Sequence, residues 1–207
     1  MAEPGVPTKG MDSARVTAFT DGLFVVAATL LVVSIDIPNI PDADVSRVLP
    51  HVLDDIVPQL LSYFISFAVI VVFWFRHHAL FGRVHTHDVR FVAINMVFLA
   101  FIAVLPFPTE LLGKYGEEKI SAVIYASNVL VLSALLTTLF VYSERKQLVH
   151  ADVAGAPYQG RAVSVLIVFG ASIPIALLFG SRAAEYCWLA MFILPRVLDR
   201  VTGGRYT

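Results

Sequence analysis

The chain has 207 residues, 57% of them hydrophobic and 15% charged, with a net charge of −1. A soluble domain of this size needs a more charged surface, so a polytopic membrane protein is the class that fits. The near-zero net charge leaves no basic footprint for nucleic acid, and a single cysteine, Cys187, excludes an intrachain disulfide.

Residues 1–14 are polar and rich in Pro and Gly, lack the pattern of a signal peptide, and read as a flexible cytoplasmic tail. The stretch RVTAFTDGLFVVAATLLVVSIDIP, Arg15 to Pro38, then opens the first of six apolar segments, at roughly 16–35, 56–75, 89–107, 120–142, 162–180 and 183–198. Each of the first five approaches the ~20 residues that cross a bilayer core. The sixth is shorter and carries Glu185 and Pro195, and Pro174 predicts a kink in the fifth. Between them, DIPNIPDAD reads as a turn, PFPTELLGKYGEE as a loop and SERKQLVHADVAGAPYQGR as the longest polar linker. The expected architecture is all-α: one domain of six transmembrane helices over 15–200 and a short cytoplasmic tail at 201–207.

Basic residues orient the segments. With both termini on one side, only Arg47, Lys114, Lys119 and Arg182 fall on the other, where acidic residues gather. The positive-inside rule then predicts a multi-pass protein of the cell membrane with both termini cytoplasmic.

On helix one, Phe19, Leu23, Val26, Leu30 and Val33 form an aliphatic stripe at helical spacing. By periodicity alone such a stripe faces lipid or a neighbouring helix. Asp21 is placed on the opposite side, near Val25, Ala28 and Val32, where a carboxylate at membrane depth needs a protein partner. Counting from the cytoplasmic ends brings Trp74, Arg76 and His77 of helix two and Asn95 of helix three to the same level. A buried polar network of Asp21, His77 and Asn95 is the reading that follows. The run RHHALFGRVHTHDVR tempts a metal site, but its histidine spacing matches no compact ligand set. No hydrolase, metalloprotease or P-loop motif is present.

The pattern RxxxFTDG at Arg15, Phe19, Thr20, Asp21 and Gly22 resembles the RxxxFSD signature that opens the first helix of the transmembrane-protein-175 potassium channels. FWFRHH, with Trp74 and His77, and Asn95 resemble family positions as well. The resemblance implies a homotetramer in the lipid bilayer that passes potassium over sodium, with helix one of each subunit lining a central pore. It places a hydrophobic constriction at Val26, with Leu30 and Val33 beyond it, and a pore-side hydroxyl at Thr29. Arg15, Phe19, Thr20 and Asp21 become a cluster that stabilises the open channel. No metal or cofactor is implied beyond the permeant potassium ion. Thr20 keeps the hydroxyl of the family serine, whereas Val26 is smaller than the usual isoleucine or leucine. The competing expectations are a proton-coupled transporter using Asp21 and His77, a membrane scaffold, and a metal-dependent membrane enzyme.

Overall fold

Within a bilayer, backbone polar groups are satisfied only in helices or closed barrels. In the computed structural model, which describes residues 13–149 and 159–188, helices are what form. They are α1 (Ser13–Leu30), α2 (Val45–Phe81), α3 (Val89–Val104), α4 (Pro106–Lys114), α5 (Lys119–Arg145) and α6 (Gln159–Phe179). A further helical stretch covers 181–188. Among the described residues, four helical segments are long and apolar enough to cross a membrane: Ala14–Val33, Asp42–Phe81, Val89–Lys114 and Lys119–Arg145. The apolar part of α6, Val165–Phe179, is shorter. Most of the sixth expected span, with the tails at 1–12 and 201–207, lies outside the described residues.

Two expectations are corrected. The stretch PFPTELLGKYGEE is not a loop throughout, because its first nine residues form α4. Pro106 takes the first helical position, where its missing N–H leaves no bond unmade. α2 is also longer than 56–75, running 37 residues through Pro50 and Pro58. At 1.5 Å per residue it spans about 55 Å, against a hydrocarbon core of about 30 Å, so its first turns stand outside the bilayer.

α5 is the hub of the bundle, packed on α6, α3 and α4. Its Tyr125, Ala126, Val129, Leu132 and Leu139 are wholly buried. α1 packs on α3 and α2. Near the junction of α3 and α4 lies a polar layer. Thr109 Oγ1 donates to the Leu105 carbonyl (2.8 Å) and shares a hydrogen bond with Ser66 Oγ (2.8 Å), which also bonds Tyr125 Oη (3.1 Å). This ties α2, α4 and α5 together where lipid offers no alternative partner. On the opposite side the α2–α3 turn is stitched to the segment after α5. His85 N–H donates to the Leu148 carbonyl (3.0 Å), Val84 bridges Val149, and Tyr142 Oη donates to Asp88 Oδ2 (2.6 Å). Asp88 also caps α3 by accepting from Phe91 N–H at 2.7 Å.

Candidate pore helix and its anchor

α1 has two faces. Val16, Thr20, Phe24, Ala27 and Leu31 recur every three or four residues, and all are buried. Across the helix, Phe19, Val26, Leu30 and Val33 are exposed by 55, 54, 47 and 73%. Thr29 and Gly22 share that side, Leu23 is half-buried, and Val25 and Val32 are exposed as well. The bare arc is therefore broader than the expected stripe and is rotated toward Gly22 and Thr29. A continuous 3-10 turn, Leu31–Ser34, extends the helix at its C-terminal end. Thr29 Oγ1 donates its proton to the Val26 carbonyl at 2.9 Å, which leaves the oxygen lone pairs for whatever lies on the bare side.

The buried face holds a polar network. Thr20 Oγ1 donates to the Val16 carbonyl (2.9 Å) and accepts from Asn95 Nδ2 (3.1 Å). With the Asn95 amide so oriented, its oxygen accepts from His77 Nε2 at 2.7 Å, so that ring nitrogen carries the proton. The His77 ring lies against Phe81 (centroids 4.1 Å apart), Phe98 (5.5 Å) and Phe24 (5.7 Å). One chain of hydrogen bonds thus joins α1, α3 and α2.

Asp21 corrects the expected network. It does not meet His77 or Asn95, and the residue at that junction is Thr20. Asp21 sits at the edge of the buried face, half-buried, and its Oδ1 accepts from Trp74 Nε1 at 3.0 Å. Trp74 in turn stacks on His78 at 5.3 Å. Helix one therefore has two attachments at one level, a central one through Thr20 and a flanking one through Asp21. Arg15 and Phe19 lie exposed on α1, away from the buried network.

The C-terminal end of α1 is clamped by residues that the sequence did not mark as its partners. The Asp36 N–H donates to Gln59 Oε1 (2.9 Å), and Lys114 Nζ reaches Asp36 Oδ2 (3.3 Å) and Glu110 Oε1 (3.0 Å). Their signal was faint: Gln59 is the single amide in the apolar run of α2, and Lys114 lay in a stretch read as loop. Helix one is thus held near both ends and on one face, while its other face is exposed among the described residues.

An all-helical bundle with several bilayer-length apolar helices and a polar network among them defines a multi-pass helical membrane protein. A family profile described as the endosomal/lysosomal potassium channel TMEM175 matches residues 15–106, which hold α1 to α3 and the whole polar network. Over α1 to α3 the chain belongs to the TMEM175 family. It is 37% identical over 125 residues to a protein of Streptomyces collinus named a potassium channel, covering 60% of this chain. It is 31% identical over 135 residues to a potassium channel of Chamaesiphon minutus, covering 64% of this chain. These matches span 59% and 66% of the two relatives' lengths. The crystal structure of a lysosomal potassium-selective channel TMEM175 homolog from Chamaesiphon minutus superposes with a TM-score of 0.65 at 29% identity. That superposition covers 86% of this chain and 97% of the other.

Proposed function

We propose that the chain is one subunit of a homotetrameric channel of the cell membrane that passes potassium in preference to sodium. The observation that carries this reading is the bare aliphatic face of α1, on a helix whose opposite face is pinned by Thr20, Asn95 and His77. One such face per chain needs closed rotational symmetry to become a conduit. The two bacterial relatives named potassium channels support the choice of ion. Both termini are cytoplasmic in this reading, and all six apolar segments cross the bilayer.

In the tetramer Val26 forms the neck, with Leu30 and Val33 toward the outer end. A ring of such side chains blocks by dewetting when narrow and passes a hydrated or partly dehydrated ion when wide. Potassium holds its water less tightly than sodium and loses less in entering a neck with few ligands. Thr29 offers its lone pairs one turn away. Asp21, Thr20 and Trp74 hold the helix at the angle that aims Val26 at the axis, with Arg15 and Phe19 available to a neighbouring subunit. The reading is of a channel, not an enzyme, and needs no cofactor.

A proton-coupled transporter would have to route protons through Asp21 and His77, yet Asp21 is bonded to Trp74 and His77 to Asn95. The His77 ring is 2% exposed among three phenylalanines, which gives it no open path. Reconstitution in planar bilayers with potassium on one side and sodium on the other tests the reading. A steady, non-saturating current whose reversal potential favours potassium is expected. Saturable flux that follows a proton gradient would refute it.

A further inference from the structure

A groove of about 410 Å³ opens between α2, α4 and the helical stretch 181–188, away from α1. Its wall is apolar, with Val57, Leu61 and Ile65 of α2 backed by Leu112. Its rim carries two cations, Lys114 and Arg182, and two anions, Glu117 and Glu185, with Tyr186 beside them. Arg182 pairs with Glu117, and Ser181 Oγ donates to Glu185 at 3.1 Å.

Its depth can be read from the clamp on helix one. Arg15 and Asp36 stand 21 residues apart on a nearly continuous helix, roughly 30 Å, which is the thickness of the hydrocarbon core. Asp36 touches Gln59 and Lys114, so those two residues mark the outer boundary on α2 and α4. Leu61 and Ile65 then lie roughly 3 and 9 Å inside it, and Val57 roughly 3 Å outside. The apolar wall enters the acyl layer while the charges stand at headgroup level, where an interfacial tyrosine such as Tyr186 also belongs.

We infer that this groove binds a zwitterionic phospholipid of the outer leaflet, one acyl chain along Leu61 and Ile65 and the headgroup on the charged rim. The class of lipid follows from charge. Lys114 is already held by Asp36 and Glu110, which leaves Arg182 against Glu117 and Glu185, so an anionic headgroup gains no net attraction. A headgroup with its own phosphate and ammonium can set the phosphate toward Arg182 and the ammonium toward Glu185. The volume is of the size that takes one small ligand or one end of a lipid. The inference rests on the proposed orientation, with the chain crossing a bilayer and its termini cytoplasmic, and it stands or falls independently of any pore.

The test is native mass spectrometry of the full-length protein in mild detergent, with added phosphatidylethanolamine or phosphatidylglycerol. The parent should retain the ethanolamine lipid about tenfold better than the glycerol lipid, a difference of ~1.4 kcal/mol. Leu61→Trp fills the groove with an apolar ring at a position already 56% exposed, so it should fold and lose retention of both. Glu185→Lys makes the rim net positive and should turn the preference toward the glycerol lipid. Equal retention of the two lipids by the parent would overturn the inference, as would unchanged retention in Leu61→Trp. A disulfide formed between copies by Leu61→Cys would overturn it too, since a neighbouring chain would then occupy the groove.

Discussion

Asn95 shows what one side chain can do at membrane depth. Its amide nitrogen reaches Thr20 on α1 and its oxygen takes the His77 proton on α2, so a single residue on α3 joins three helices. Asn95→Ala removes both bonds and leaves the His77 N–H buried without its acceptor, at a cost of about 1–3 kcal/mol. Thermal unfolding followed by size-exclusion fluorescence should show a clearly lowered midpoint, and an unchanged midpoint would mean that the network does not anchor α1. Asp21 separates charge from hydrogen bonding, since its contact is Trp74 Nε1 at 3.0 Å. Asp21→Asn keeps an oxygen acceptor there and should assemble like the parent, whereas Asp21→Ala should lose oligomer on size exclusion. Equal loss in both would show that the negative charge, not the bond, is what matters. Thr29 gives its proton to the Val26 carbonyl and keeps its lone pairs for a cation, so Thr29→Ala should lower the preference for potassium. A reversal potential unchanged by that substitution would leave ring size as the origin of selectivity.

At the scale of elements, the close seat of α4 on α2 is decided by Gly113. A Cβ there would stand 2.7 Å from Ser62 Oγ and 3.0 Å from the Gln59 Cα, so the backbones would have to part. Gly113→Ala should destabilise the fold by about 1–3 kcal/mol, read as a lowered unfolding midpoint. Gly22 meets nothing within 4 Å of its notional Cβ, so Gly22→Ala should keep the fold and act, if at all, on conduction. Asp88 caps α3 and ties it to α5. Burial alone would raise its pKa, but the bonds from Tyr142 and the Phe91 N–H, with the nearby charges of Lys146 and Arg90, outweigh burial and hold it below the usual carboxylate value. A depressed folded pKa means that its contribution is complete above the unfolded pKa of about 3.9 and is lost as the pH falls through the lower folded one. Stability measured down that acid limb should therefore be flatter in Asp88→Asn than in the parent.

The elements also show what could be read in advance. Hydropathy located α1, α3 and α5, because a bilayer helix needs a long apolar run and little else does. It missed α4, where Pro106 and Pro108 look like loop residues yet sit in a first turn that tolerates them, and it cut α2 short at Asp54 and Asp55, which are polar because that part of the helix lies outside the bilayer. The faces of α1 were legible only in part. Phe24, Ala27 and Leu31 are as apolar as Val26 and Leu30, so periodicity alone could not say which set is buried. Asp21 and Asn95 were found because polar atoms are rare at that depth. Thr20 entered the expected network only through the family resemblance, since a hydroxyl that satisfies its own helix carbonyl gives no outward sign.

For the whole molecule, the proposed pore rests on the surroundings of one side chain that the single subunit leaves bare. Val26 lies within the exposed arc of α1, between Gly22 and Leu30, and no acid or base shares that arc from Phe19 to Val33. Its barrier to ions would be hydrophobic, and polarity and size at this one position should act in opposite directions. Potassium current through Val26→Asn and Val26→Phe, each reconstituted beside the parent, is the measurement to make. Asparagine should let water wet the neck and raise the current, and phenylalanine should narrow the neck and lower it. Parent-like currents in both variants would contradict a pore lined by helix one, and its aliphatic face would then be a surface for lipid or for packing.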